Sequence, residues 1–181
     1  MLSAGGDINI GIKDYLMYDG FTYRFIPIKN RTNLNENGFT DPQELYRKMT
    51  SLYTWESLER TDWFTDYQNL YTFAGVMSQR KIFSTAALEL IKAGEDEKAE
   101  EILDLCQNMI PEENFPLDLL MYGLRNELDV IGMIEGYYLC GASEKASGLA
   151  TKAAGSLLES AAFFIDHYSE AEEYFDTCCN V

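Results

Sequence analysis

Histidine is almost absent from this 181-residue chain: one residue, His167, is all there is, so a histidine-rich metal site is excluded and any Ser/His/Asp arrangement would have to converge on that position. Basic residues are scarce too. Fourteen Lys and Arg stand against thirty Asp and Glu, a net charge of −16, and such a surface repels nucleic-acid phosphates and anionic membranes. Long apolar runs are missing. The longest stretch without a charged residue is Tyr67 to Gln79, short of the roughly 20 residues that cross a bilayer. Met1 to Gly11 has neither a basic start nor a long apolar run, so no secretory leader is written there, and read alone the chain points to the cytoplasm unless it is a piece of something longer.

Catalytic signatures are lacking as well. No phosphate-binding loop, no G-x-G-x-x-G, no nucleophile elbow and no Asp-x-Asp is present, and Asp7-x-Asn9-x-Gly11 lacks the glycine and closing glutamate of a calcium loop. Cys106, Cys140, Cys178 and Cys179 form no C-x-x-C and have no histidine cluster beside them, which disfavours zinc and leaves buried or terminal free thiols. His167 ends a helical stretch, where an imidazole suits capping. No cofactor is expected. The acidic run Glu95, Asp96, Glu97, Glu100, Glu101 and Asp104 is dense enough on one helix to read as its solvated side.

What is present divides in two. Residues 1–68 are expected to form a small α/β cap: a short helix or turn within Ile8–Asp19, an edge strand near Phe21–Ile28, an Asn-rich loop at 30–38, and a helix opened by Asp41-Pro42-Gln43-Glu44 and running to about Leu52. In that helix Asp41 caps, Pro42 takes the first position and Glu44 reaches back to the cap amide. Tyr53 to Tyr67 carries Trp55 and Trp63 without clean periodicity; packing onto neighbouring helices and a carbohydrate platform are both open.

Residues 69–181 are helical in pattern and internally repeated. Phe83, Ala86, Ala87, Leu90, Gly94, Ala99, Leu103, Cys106 and Pro111 occupy the nine signature positions of a tetratricopeptide repeat. Val130, Met133, Ile134, Tyr137, Gly141, Ala146, Ala150 and Ala153 take the corresponding places in a second copy. Gly94 and Gly141 lie 47 residues apart rather than 34, which places the start of the helix ending at Cys140 near Pro116 if it is continuous. Ser143 is a candidate cap for the following helix, and Ser169 with Glu172 for a closing one. The expected fold is mainly α: tetratricopeptide-like stacked hairpins behind a small N-terminal α/β cap.

A short solenoid presents its first helices as a concave binding face. The inner-face positions are Lys81, Ser84, Leu88 and Lys92 in one copy and Ile131, Glu135 and Tyr138 in the other, available to a protein or peptide partner or to the chain's own terminal segments. The function expected is non-catalytic protein interaction; the alternative is carbohydrate binding or processing through Trp55, Trp63 and nearby carboxylates.

The segment Asn9-Ile-Gly-Ile-Lys-Asp-Tyr-Leu-Met-Tyr-Asp-Gly-Phe-Thr-Tyr-Arg-Phe-Ile-Pro-Ile28, with the stretch from Lys92 through Gly94 and Ala99 to Asp104 and with Met109-Ile-Pro-Glu-Glu-Asn114, resembles the C-terminal soluble region of the Bacteroidetes membrane family called domain of unknown function 2723. That family is similar to protein O-mannosyltransferases carrying lumenal tetratricopeptide repeats. The resemblance implies a periplasmic location and a membrane-embedded glycosyltransferase half as partner. No such half is present here, so the chain reads as a tail fragment or a short relative, and no catalytic residue carries over.

Overall fold

The computed structural model describes residues 2–3, 12–18, 22–29, 39–54, 79–113, 115–118 and 130–166. They are mainly helical, with one small sheet.

The sheet joins four short strands, β1 (Leu2–Ser3), β2 (Leu16–Tyr18), β3 (Thr22–Phe25) and β4 (Phe39–Thr40), in the order β1-β3-β2-β4. β3 runs antiparallel to both neighbours, and β4 joins parallel to β2 with Met17 beside Phe39. Two expectations change here. The Phe21–Ile28 strand is realised as β3 but is internal, because Leu2 and Ser3 pair along its free side. The short helix or turn expected within Ile8–Asp19 is met by a single 3-10 turn, Lys13–Tyr15, but Leu16, which was read with it, opens the strand β2, whose Leu16, Met17 and Tyr18 are all buried.

The Asp41 start works as its chemistry dictates. The Asp41 carboxylate accepts the Gln43 and Glu44 amides at 3.1 and 3.2 Å, Pro42 opens α1 (Pro42–Arg47), and one wider π turn, Lys48–Leu52, carries the helix to Leu52. Glu44 does not turn back to the cap. It grips Arg47 at 2.8 and 2.9 Å, a bidentate pair that outcompetes a single amide.

Four helices follow among the described residues: α2 (Gln79–Lys92), α3 (Asp96–Met109), α4 (Ile131–Leu139) and α5 (Ser143–Asp166). They form two hairpins with matching turns. Gly94 and Gly141 have φ of 77° and 89°, the left-handed region in which a β-carbon is strained. At each, the glycine amide donates to the carbonyl three residues back (Ile91, Tyr138). The next amide donates five back (Glu95 to Leu90, Ala142 to Tyr137). This is the glycine-closed helix end that satisfies otherwise orphaned carbonyls. The next helix then starts on the same bond in both: Ala99 N–H to the Glu95 carbonyl, Ala146 N–H to the Ala142 carbonyl, each 3.0 Å. Ala142 therefore holds the cap position and Ser143 lies inside the helix.

One core joins these helices to α1. Leu45 and Met49 of the first segment share it with Phe83, Leu90, Ile102, Leu103, Met133 and Tyr137. Each such large side chain contributes roughly 1.5–3 kcal/mol on leaving water. α2 packs against α1, α3 and α4, and α4 against α2, α3 and α5. Ala86, Ala87 and Ala99 are fully buried, and the Ala87 methyl lies against the Gly136 position of α4. The 115–118 stretch is turn rather than helix, so the helix ending at Leu139 does not run back continuously to Pro116; among the described residues it begins at Ile131.

Candidate functional site: the face of α2 and α4

The first helices of the two hairpins lie side by side and run in the same direction, with Gly132 against Ser84 and Gly136 against Ala87 and Leu103. The contact is close because of the glycines. A β-carbon on Gly132 would stand 2.7 Å from the Ser84 hydroxyl oxygen, and one on Gly136 would stand 3.0 Å from a Leu103 methyl.

This seam decides the fate of the expected inner-face residues. Ser84 is not part of an open face: it is 4% exposed, pressed against Gly132, and its hydroxyl donates to the Lys81 carbonyl at 3.0 Å. A serine one step around the helix from the open side is a seam residue, a distinction that repeat position alone does not make. Lys81 and Leu88 are half-buried, and Lys92 is exposed and pairs with Glu89 at 2.7 Å. Ile131, Glu135 and Tyr138 all lie open on one side of α4, with Tyr138 69% exposed. Trp55, Trp63, His167, Ser169, Glu172, Cys178 and Cys179 lie outside the described residues.

Behind the face is a polar clasp that sequence reasoning missed. The buried Tyr137 phenol donates to Asp104 Oδ1 at 2.9 Å and accepts from the Gln107 amide at 2.5 Å. Lys145 from α5 reaches Asp104 Oδ2 at 2.7 Å and Glu100 at 2.6 Å, lying 5.9 Å from the Tyr137 ring centre. Burial pushes the Tyr137 phenol far above its ordinary range. Hydrogen bonds to Asp104 and Glu100 hold the Lys145 ammonium charged beyond the usual lysine range. From α1, Tyr46 donates to Glu101 at 2.5 Å and Gln43 to Glu95 at 2.6 Å. The acidic side of α3 is thus not merely solvated: α1 docks on it from one direction and α5 from another. The signal available was weak, since these partners lie 30 to 55 residues apart in the chain.

A cavity of about 210 Å³ opens between the 110–117 turn and α5, lined by Gln107, Leu117, Met133, Leu149, Arg80 and Lys152. Of the charged groups along it, Arg80, Lys152 and Glu112 are engaged. Arg80 donates to the Phe115 and Pro116 carbonyls, and Lys152 pairs with Glu112 at 3.1 Å. The buried Cys106 thiol donates to the Met133 sulfur at 3.6 Å, and burial pushes the half-buried Cys140 thiol up. Among the described residues, no group of three His, Cys, Asp or Glu side chains is placed to hold a metal ion, and no helix is long and apolar enough to cross a membrane.

The chain matches no protein-family model, and comparison with curated proteins and with solved structures yields no match.

Proposed function

We propose that this chain is a non-catalytic interaction module: its two hairpins act as degenerate tetratricopeptide-like units, and the α2–α4 face holds a protein or peptide. The observation that carries this reading is the exposure of Tyr138 and Ile131, 69% and 49%, on the outer side of a helix whose other sides are packed against α2, α3 and α5. A tyrosine in that setting offers a large rigid contact area with a polar tip, the usual anchor of a binding surface. Lys92 and Glu135 supply charged rim groups, and half-buried Leu88 the apolar floor. Following the family resemblance, the protein held is a membrane-embedded glycosyltransferase-like half, and the module works in the periplasm.

The test is peptide selection from a displayed random library on the purified chain, followed by calorimetry on the enriched sequences. Tyr138→Ala and Ile131→Glu are expected to weaken binding by roughly tenfold or more, as loss of a central anchor does, with the thermal melt unchanged. Enriched peptides that bind both variants as tightly as the parent would remove the face from the reading.

A further inference from the structure

The last described helix, α5, buries Ala146, Leu149 and Ala153 in the core. Its opposite side carries Gly148, Thr151, Gly155, Leu158, Ala162 and Ile165, spaced alternately by three and four residues, which is the seam of a two-helix coil. Leu158 and Ile165, one heptad apart, are 71% and 59% exposed, and Ala162 between them is exposed as well. A β-carbon on Gly148 or Gly155 would meet nothing within 4 Å. The Thr151 hydroxyl already donates to the Ser147 carbonyl at 2.8 Å, so covering it strands no donor. Large aliphatic side chains exposed in one line with small residues mark an association surface.

The line is complementary to itself. Both glycines lie in its first half and both large side chains in its second. When a second α5 is laid antiparallel about a two-fold axis between positions 156 and 157, Gly155 faces the partner's Leu158 and Gly148 faces the partner's Ile165. Each large side chain meets a glycine. Thr151 faces the partner's Ala162, and two such small residues let the helices come close enough for Leu158 and Ile165 to reach those hollows along about 26 Å of helix. Charge agrees with shape. One flank carries Lys145, Lys152, Glu159 and Asp166 at seven-residue intervals, basic in the first half and acidic in the second. The same axis brings Lys152, whose own-chain partner is the exposed Glu112, toward the partner's Glu159. Lys145 is held by Asp104 and Glu100, so the 152–159 pairs carry the charge term. The other flank, Ser147, Ala154 and Ala161, is small and uncharged and permits close approach. We infer that the outer face of α5 is an isologous dimer interface whose occupant is a second copy of this chain.

Sedimentation equilibrium of the full chain over a concentration series tests this. A monomer–dimer equilibrium is expected. Leu158→Asp is expected to weaken it by more than about tenfold, since the two-fold axis places both copies of that side chain near the centre of the interface, with the helical circular-dichroism melt of the dilute protein unchanged. Lys152→Glu alone is expected to weaken it by roughly fivefold, because two attractions across the axis become repulsions. Lys152→Glu combined with Glu159→Lys restores the dimer, a rescue that damage to the monomer or loss of the Glu112 pair would not give. A chain monomeric at every concentration, its stripe left to another occupant, overturns the inference. So does a dimer indifferent to Leu158→Asp, or a charge swap that restores nothing.

Discussion

The two hairpins repeat the same turn geometry, hydrogen bond for hydrogen bond at an interval of 47 residues, yet they sit in different surroundings. The first is covered on both sides, by α1 and by α4, and α2 accordingly buries Phe83, Ala86, Ala87 and Leu90 completely. The second is covered by α2 and α3 on one side only among the described residues. Its α4 leaves Ile131, Tyr138 and Leu139 about half or more exposed, and its α5 leaves Leu158 and Ile165 so. A helical hairpin specifies its own turn and its own helix pair; how much of its apolar surface stays in water depends on what packs beside it.

The sharpest way to break the comparison is to remove a buried side chain from one hairpin and an exposed one from the other. Phe83→Ala is expected to cost about 3–5 kcal/mol in urea unfolding, the lost transfer energy plus an unfilled cavity, whereas Tyr138→Ala is expected to stay within about 0.5 kcal/mol. Glycine substitutions sharpen it further. Gly136→Ala drives a β-carbon to 3.0 Å from Leu103 and is expected to cost about 1–3 kcal/mol, while Gly148→Ala meets open space and, in dilute protein, is expected to gain about 0.5–1 kcal/mol through helix propensity. Equal responses at the two glycines would mean that α4 and α5 are equally covered.

The smallest expected effect concerns acid. The Arg47 guanidinium bonded to Glu44 holds that carboxyl down to about 2. A depressed carboxyl contributes stability that is complete above its unfolded value near 4.5 and is lost as the pH falls toward 2. Glu44→Gln is expected to flatten that part of the acid-stability profile slightly. Indistinguishable profiles for Glu44→Gln and the parent chain between those values would show that the pair does not stabilise α1.

What was readable from sequence was local. Gly94, Gly141 and the Asp41-Pro42 start announce themselves because a turn or a cap needs only neighbouring residues, and the buried positions from Phe83 to Cys106 follow a helical period over several turns. The sheet was less legible. β1 and β4 have two residues each, too few for any period to show, and β3 becomes internal only because Leu2 and Ser3 return from a distance. β2 is buried at all three positions and so lacks the alternation that marks a strand. At the candidate face, the expected positions Ile131, Glu135 and Tyr138 are exposed while Ser84 is buried, because seam and open face differ by a fraction of a helical turn. The Asp104–Tyr137–Lys145 clasp could not be seen, since each of its members comes from a different helix.

That clasp governs more than cohesion. Lys145 pins the start of α5 to Asp104 and Glu100, and Ser156 and Ser160 pin its middle to Asp118. Together with the buried Ala146, Leu149 and Ala153, these two pins fix the azimuth of α5, and with it the choice of side chains turned outward.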